Sequence, residues 1–308
     1  MPDFRPGTAE QVSFLDELVE AGLLTLTGVD GLYARGGDFE RVRLAIDGLV
    51  SRTAAPEQAE PLYFPPLLPR HQIETNGYLG SFPHLAGTVF SFDGDEAAAA
   101  EQLDAASRHE DWSGFQEMTE LVLTPAACYP LYPAVAARGP LPENGVVLDT
   151  GDGYVFRREP STDPSRMQIF HMREIVRIAD AETVIAWRMK WRARAEELLR
   201  SLGLELELDI ANDPFFGRTG RLLAAQQRDQ ELKWELLAPV AGKPSAIASS
   251  NYHQDHFGET YGLTTDTGEV AHTGCMAFGE ERITLALFSA HGTDLGAWPD
   301  AVLTALNL

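Results

Sequence analysis

The chain has 308 residues, a formal net charge of -22, 44% apolar and 23% charged residues, and two cysteines. That length buries a full core, and no apolar run approaches the ~20 residues needed to span a bilayer. Phosphate neutralisation dominates affinity for nucleic acids, so a chain this acidic is not expected to bind DNA or RNA.

The two cysteines, Cys128 and Cys275, form no short-spaced framework, which fits a reducing compartment. The N-terminus is polar and acidic, without the pattern of a secretory signal, so the expected location is cytoplasmic. One stretch departs from the overall acidity. From Arg188 to Lys233 nine basic residues accompany eight acidic ones, and an acidic partner could dock there.

Residues 8–24 predict an amphipathic helix, with Thr8 as cap and Val12, Phe14, Leu15, Leu18, Val19 and Leu23 at helical spacing. GVDGLYARGG reads as a turn-rich loop, and residues 38–54 as a second helix with Phe39, Val42, Ala45, Ile46 and Leu49 inward. The prolines of PLYFPPLLP keep it extended. An Ala-rich helix is expected over 95–108, and strands over 119–124, 144–149, 153–159 and 166–178. A long helix over 181–202 ends at Gly203, and another over 218–231 follows the loop NDPFFGRTG. Strands are expected again at 233–239, 246–252, 258–264 and 282–288. There is no regular strand–helix alternation, no glycine-rich phosphate loop and no repeat. That order predicts an α+β fold, an antiparallel sheet with helices packed on it.

On a strand, Arg157 and Glu159 share one face, as do Arg166, Gln168, Phe170, Met172 and Glu174. The turn PSTDPS between them makes a hairpin. Its face would present arginines suited to phosphate, an aromatic suited to stacking on a base, and carboxylates suited to an exocyclic amine. A solvated strand face with cross-strand ion pairs fits the same residues, and lone cysteines also fit as buried small hydrophobes. Lys233 and Glu235 share a face on the strand expected at 233–239, as a pocket pair or a structural ion pair. His253 and His256 read as hydrogen-bonded pocket-wall residues rather than metal ligands.

The hairpin resembles the second class-defining motif of class II aminoacyl-tRNA synthetases, and GEERITLALF (279–288) resembles the third, with Arg282 heading a strand. More narrowly, the chain resembles the amino acid:carrier protein ligases, truncated relatives of archaeal-type seryl-tRNA synthetases. The resemblance rests on eight segments in family order from Phe64 to Phe288: FPPLLPRHQIETNGYLGSFPHLAGTVFSF, ACYPLYP, FRRE, RMQIFHMREIVRIA, ANDPFFGRTGRLLAAQQ, LKWELLAPV, SNYHQDHFG and AHTGCMAFGEERITLALF. The first sixty or so residues add little to it.

The resemblance implies a single class II synthetase-like catalytic domain over 1–308, with a two-helix insertion at 180–232 that receives a carrier protein. It implies that Arg157 grips the α-phosphate of ATP and Glu159 receives the adenine amino group. Phe170 and Arg282 would sandwich the ring, and Arg166 would lie near the outer phosphates. Cys128, Glu174 and Cys275 match the family's zinc ligands; magnesium accompanies ATP. Asn251, Lys233 and Glu235 fall on the substrate side. The implied function is activation of a small amino acid, such as glycine or alanine, as its adenylate, then transfer to the phosphopantetheine thiol of a carrier protein. Homodimer pairing is expected around Phe82–Val89. Arg188, Arg192, Arg218, Arg221 and Arg228 are candidates to meet an acidic carrier protein. Transfer to a small-molecule amine or alcohol or to tRNA, or a non-catalytic regulatory paralogue, are the open alternatives. Two departures stand near the pocket: Glu280 replaces a usual apolar residue, and SAIASS precedes Asn251.

Overall fold

A computed structural model describes residues 6–308, with the side chains of Arg218, Thr219 and Leu223 excepted. The chain opens with α1 (Ala9–Glu20), capped by Thr8 in a reciprocal box with Gln11. It ends three residues before Leu23, the last apolar position of the expected helix. The turn-rich segment makes a small hairpin, β1 (Leu24–Leu26) against β2 (Tyr33–Arg35). Then α2 (Gly37–Ala54) buries Phe39, Val42, Ile46 and Val50 at helical spacing.

The proline-rich stretch yields only two short strands, β3 (Glu60–Pro61) and β4 (Leu67–Pro69), followed by α3 (Arg70–Thr75) and α4 (Tyr78–Ser81). Next come β5 (Thr88–Phe92), α5 (Glu96–Ser107), β6 (Gln116–Leu123), α6 (Leu131–Ala136) and β7 (Val146–Asp149). Strands β4, β6 and β5 form a separate three-stranded antiparallel sheet.

The central hairpin is β8 (Tyr154–Phe156) with β9 (Ile169–Ala179). It is followed by α7 (Ala181–Ser201), β10 (Glu207–Ile210), α8 (Gly217–Asp229), β11 (Lys233–Val240) and β12 (Lys243–Gln254). The chain closes with α9 (His256–Tyr261), β13 (His272–Gly279), α10 (Glu280–His291) and α11 (Asp300–Leu306). The main sheet runs β10-β11-β12-β13-β9-β7-β3, with β8 paired to β9. All its pairs are antiparallel except β3 with β7. The α+β class and the antiparallel sheet flanked by helices agree with the expectation.

Two expected strands are helices. Residues 283–288 are all buried in α10. A helix that is apolar all round shows no stripe at period 3.6, so its sequence cannot be told from a buried strand. Arg282 therefore sits in the first turn of a helix that follows β13, not at the head of a strand. Residues 258–264 overlap α9, which ends at Gly262 with φ 69°. Gly258 lets this helix lie against the chain, since a Cβ there would stand 2.0 Å from the Ala271 carbonyl oxygen.

One face of the sheet carries the main core. Ile175, Met276 and Phe278 pack there with Trp187 and Trp191 of α7, Phe39 of α2 and Phe288 of α10. The opposite face carries a smaller core, Val176 and Ile178 with Leu131, Tyr132 and Phe257, and beside it the cavity.

Candidate functional site

Strand register decides what that cavity face presents. Directly opposed residues share a face, and β13 pairs Cys275 with Val176 and Ala277 with Glu174, while β12 pairs Asn251 with Cys275. Period two along β9 adds Phe170 and Met172 to Glu174. All of these except Val176 line a solvent-open cavity of about 200 Å³, together with Cys128, Arg157, Asp213, Lys233, Glu235, His253 and Arg282.

At one end stand the thiols. Cys128 and Cys275 are buried, and each is near enough to the other and to Glu174 for its ionisation to be shifted by them. Glu174 accepts the Cys128 backbone N–H at 3.2 Å. The Cys128 thiol is pulled down by its contact with Cys275, but burial and the Glu174 charge outweigh that and leave it raised. The contact with Cys128, burial and Glu174 all push Cys275 well above the ordinary thiol range. Asn251 donates its amide to Cys275 Sγ at 3.3 Å. His253 Nε2 lies 3.9 Å from the same sulfur, and Nδ1 lies 3.0 Å from Thr273 Oγ1. Burial lowers His253 to about 4. His253 is thus part of the pocket wall, whereas His256 bonds the Asn76 carbonyl.

At the other end the sequence picture needs adjustment. Strand β8 stops at Phe156, so Arg157 and Glu159 do not share a strand face. Arg157 continues the pairing with one bond, its N–H to Gln168 O at 2.8 Å, and then the chain leaves the sheet. Arg166 and Gln168 lie in the 157–168 connection, outside β9. Arg157 still reaches the cavity, with its guanidinium 5.7 Å from the Phe170 ring centroid and Nε donating to Pro125 O. Arg282 donates to Ser165 O at 2.8 Å and Ala246 O at 3.0 Å; burial lowers its affinity for its proton. Glu159 and Arg166 pair with each other at 3.2 Å and are not among the cavity-lining residues.

Lys233 is held between Asp213 at 2.5 Å and Glu235 at 3.1 Å. Burial opposes its charge, but the two carboxylates raise its affinity for its proton. Asp213, which also accepts from Gln227 of α8, is a cavity residue that sequence reasoning did not single out. It lies inside the NDPFFGR segment, which could have pointed to it. Arg188 is removed from the docking candidates: it is buried and donates to the Glu231 carbonyl. Arg192 lies over the Trp234 ring at 4.5 Å, and Arg221 and Arg228 are exposed. The Arg218 side chain lies outside the described residues.

Behind the sheet is a buried ionic network that takes in Glu280, expected near the pocket but not among the cavity-lining residues. Among the described residues, the group of three potential metal donors within 4.8 Å of one another is Asp152, His171 and Glu280. Arg43 bonds both Asp152 and Glu280 there, so a guanidinium already supplies the cation. Glu281 accepts the His171 backbone N–H at 2.7 Å and pairs with Arg35.

No protein-family model matches the chain. It is 44% identical to amino acid–(acyl-carrier-protein) ligase 1 of Bradyrhizobium diazoefficiens, over 98% of this chain and 93% of the relative. It is 45% identical to ligase 2 of the same organism, over 96% and 88%. A type-2 serine–tRNA ligase of Methanopyrus kandleri is 28% identical over 60% of this chain and 38% of its own length. The crystal structure of M. kandleri SerRS in complex with A. aeolicus tRNASec superposes with TM-score 0.78 at 19% identity, over 96% of this chain and 60% of that one. Seryl-tRNA synthetase from Pyrococcus horikoshii, complexed with ATP, gives 0.67 at 17% identity, over 96% and 62%. The fold is therefore that of a class II seryl-tRNA synthetase catalytic domain.

Proposed function

Because the chain belongs to the amino acid–(acyl-carrier-protein) ligase family, we propose that it activates a small amino acid with ATP and transfers the aminoacyl group to the phosphopantetheine thiol of a carrier protein. The observation that carries this reading is one cavity lined at one end by Arg157, Phe170 and Arg282 and at the other by Cys128, Glu174 and Cys275.

In the first step the amino acid carboxylate attacks the α-phosphorus of ATP and pyrophosphate leaves. Arg157 is the cavity cation placed to stabilise charge on the transferring phosphoryl group. Phe170 and Arg282 hold the adenine ring, Glu159 takes its amino group and Arg166 meets the outer phosphates, with magnesium accompanying ATP. In the second step the carrier thiol attacks the aminoacyl carbonyl and AMP leaves. No nucleophilic side chain of this chain is needed, and most of the rate comes from positioning.

Cys128, Glu174 and Cys275 fit a zinc site by the chemistry of the set, although their donor atoms do not all lie within 4.8 Å of one another. Two thiols and a carboxylate buried together repel one another as anions, and a divalent cation removes that repulsion. When bound, the ion would supply a Lewis-acid position for the substrate's free amine. Asn251 borders this end, and Lys233 and Glu235 border the substrate side.

Residues 180–232 are assigned to carrier docking. In support, exposed Phe216, Leu222, Arg221 and Arg228 lie on or beside α8. A homodimer through the β5–β6 face is supported by exposed Phe90 and Met118, which lie directly opposite each other. The proposed site of action is the cytoplasm; among the described residues no helix is long and apolar enough to cross a membrane.

The test is amino-acid-dependent ATP–pyrophosphate exchange over an amino acid panel, then transfer of labelled amino acid to a holo carrier protein. Exchange with glycine or alanine and a labelled carrier are expected. Exchange without carrier labelling favours another acceptor, and silence across the panel ends the enzymatic reading.

A further inference from the structure

None of the described residues among the first sixty lines the cavity. Three of their contacts nevertheless fall on the 157–168 connection. The Gly7 N–H donates to Thr162 Oγ1 at 2.9 Å, Gln11 Nε2 donates to Asp163 Oδ2 at 2.7 Å, and Gly31 O accepts the Gln168 N–H at 2.7 Å. The middle contact is buried, with Gln11 1% and Asp163 2% exposed.

The Gln11 amide has two tasks. Its oxygen accepts the Thr8 N–H at 2.9 Å and so closes the start of α1; its nitrogen holds Asp163. The other Asp163 oxygen accepts from the Ser165 N–H and hydroxyl at 2.9 and 2.7 Å, and Arg282 reaches Ser165 O. A continuous chain of hydrogen bonds therefore runs from α1 through the connection to the arginine in the cavity. Lys243 and Arg166 also face Asp163, at 3.7 and 3.9 Å.

A connection that leaves the sheet for this many residues takes its shape from contacts made elsewhere in the chain, and ordering it only on binding would cost affinity. We propose that the Gln11–Asp163 hydrogen bond is a positioning device that presets the 157–168 connection for ATP, holding Glu159 and Arg166 where the nucleotide arrives. This rests on reading that connection as the nucleotide-binding segment, as above.

Pyrophosphate exchange with ATP and amino acid varied separately tests it. Gln11→Glu sets two carboxylates against each other, and Asp163→Asn sets two amides against each other. Each variant should raise the KM for ATP on the order of tenfold, the loss of one buried hydrogen bond to a charged group. The KM for the amino acid should stay within about twofold, because its end of the cavity rests on strand register. The double variant Q11E/D163N reverses donor and acceptor, keeps the bonds to Thr8 and Ser165, and should recover the ATP KM. If a repulsive variant does not fold, Gln11→Leu loses the bond without adding charge and should show the same split. The strap is overturned if the single variants leave the ATP KM unmoved, if they raise both KM values alike, or if the double variant is no better than either parent. Arg157→Ala separates the two layers. If it abolishes exchange while Gln11 variants change nothing, the strap alone fails; if it leaves exchange intact, the nucleotide-site reading fails and takes the strap with it.

Discussion

At the thiol end of the cavity, Glu174, Cys275 and Asn251 are set by the register of three neighbouring strands. At the end proposed to take the nucleotide, Arg157 leads into a connection carrying Glu159 and Arg166, whose shape depends on α1, the helix after β13 and the β1–β2 hairpin. The first kind of site is stiff because every backbone group around it is already committed to the sheet. The second gains its geometry from a few long-range hydrogen bonds, so single distant substitutions should move it. The largest expected effect tests the stiff end. With zinc held there as proposed, Cys275→Ser should abolish metal retention and lower amino-acid activation by roughly a thousandfold or more. ATP should still bind with nearly its original affinity, because Phe170, Arg157 and Arg282 are untouched. Metal analysis together with equilibrium nucleotide binding checks this. Loss of nucleotide affinity in parallel would show that the two ends are not separately built.

The same contrast explains what could be read from the sequence. The period-two run Phe170–Met172–Glu174 reads directly as one face of a strand, and these side chains do converge on the cavity. Strand register across β12, β13 and β9 then brings in residues 251 and 275, which no local pattern pairs with 174. At the other end, the Gln11–Asp163 contact spans 152 positions, and neither residue stands out in its own neighbourhood. The helix carrying Arg282 was unreadable for a different reason: burial on all sides erases the periodicity that separates helix from strand. The place of Glu280 among charged partners on the hidden face follows from that misread helix.

An intermediate effect comes from Asn251, which belongs to the stiff end but acts through a sulfur. Its amide N–H to Cys275 Sγ at 3.3 Å stabilises a thiolate at that position. Asn251→Ala should weaken metal retention about tenfold, the lower range for a partner that orients a ligand. Competition with a chelator measures this directly. The KM for ATP should not change, whereas a change in ATP KM with metal retention intact would assign Asn251 to the substrate instead of the sulfur.

The smallest effect on the site, and a separate one on stability, is expected behind the nucleotide end. Glu280 opens the helix that carries Arg282 and is fully buried, with one carboxylate oxygen bonded to Arg43 and the other without a hydrogen-bond partner. Arg43 is shared with Glu40 and Asp152, so its charge is divided among three carboxylates. Burial, only partly offset by Arg43 and reinforced by Asp47, Asp152 and Glu281, raises Glu280 from 4.5 to about 9. The folded chain therefore holds this proton over a range where the unfolded chain has released it. Stability from this group is complete below about pH 4.5 and is lost progressively as pH rises toward about 9. Glu280→Gln copies the protonated group and cannot ionise. Its advantage over the parent should be near zero at pH 4.5 and grow with pH, to roughly 1–3 kcal/mol at pH 8. Thermal melts of both proteins from pH 5 to 8.5 measure that difference. The ATP KM should change less than about twofold at pH 7, since Arg282, the group proposed to meet ATP, is the next residue but one and Glu281 still ties the helix to His171. A pH-independent difference in melting temperature would mean that Glu280 is ionised and paired with Arg43 throughout. The nucleotide end would then rest on a permanent buried ion pair and not on a retained proton.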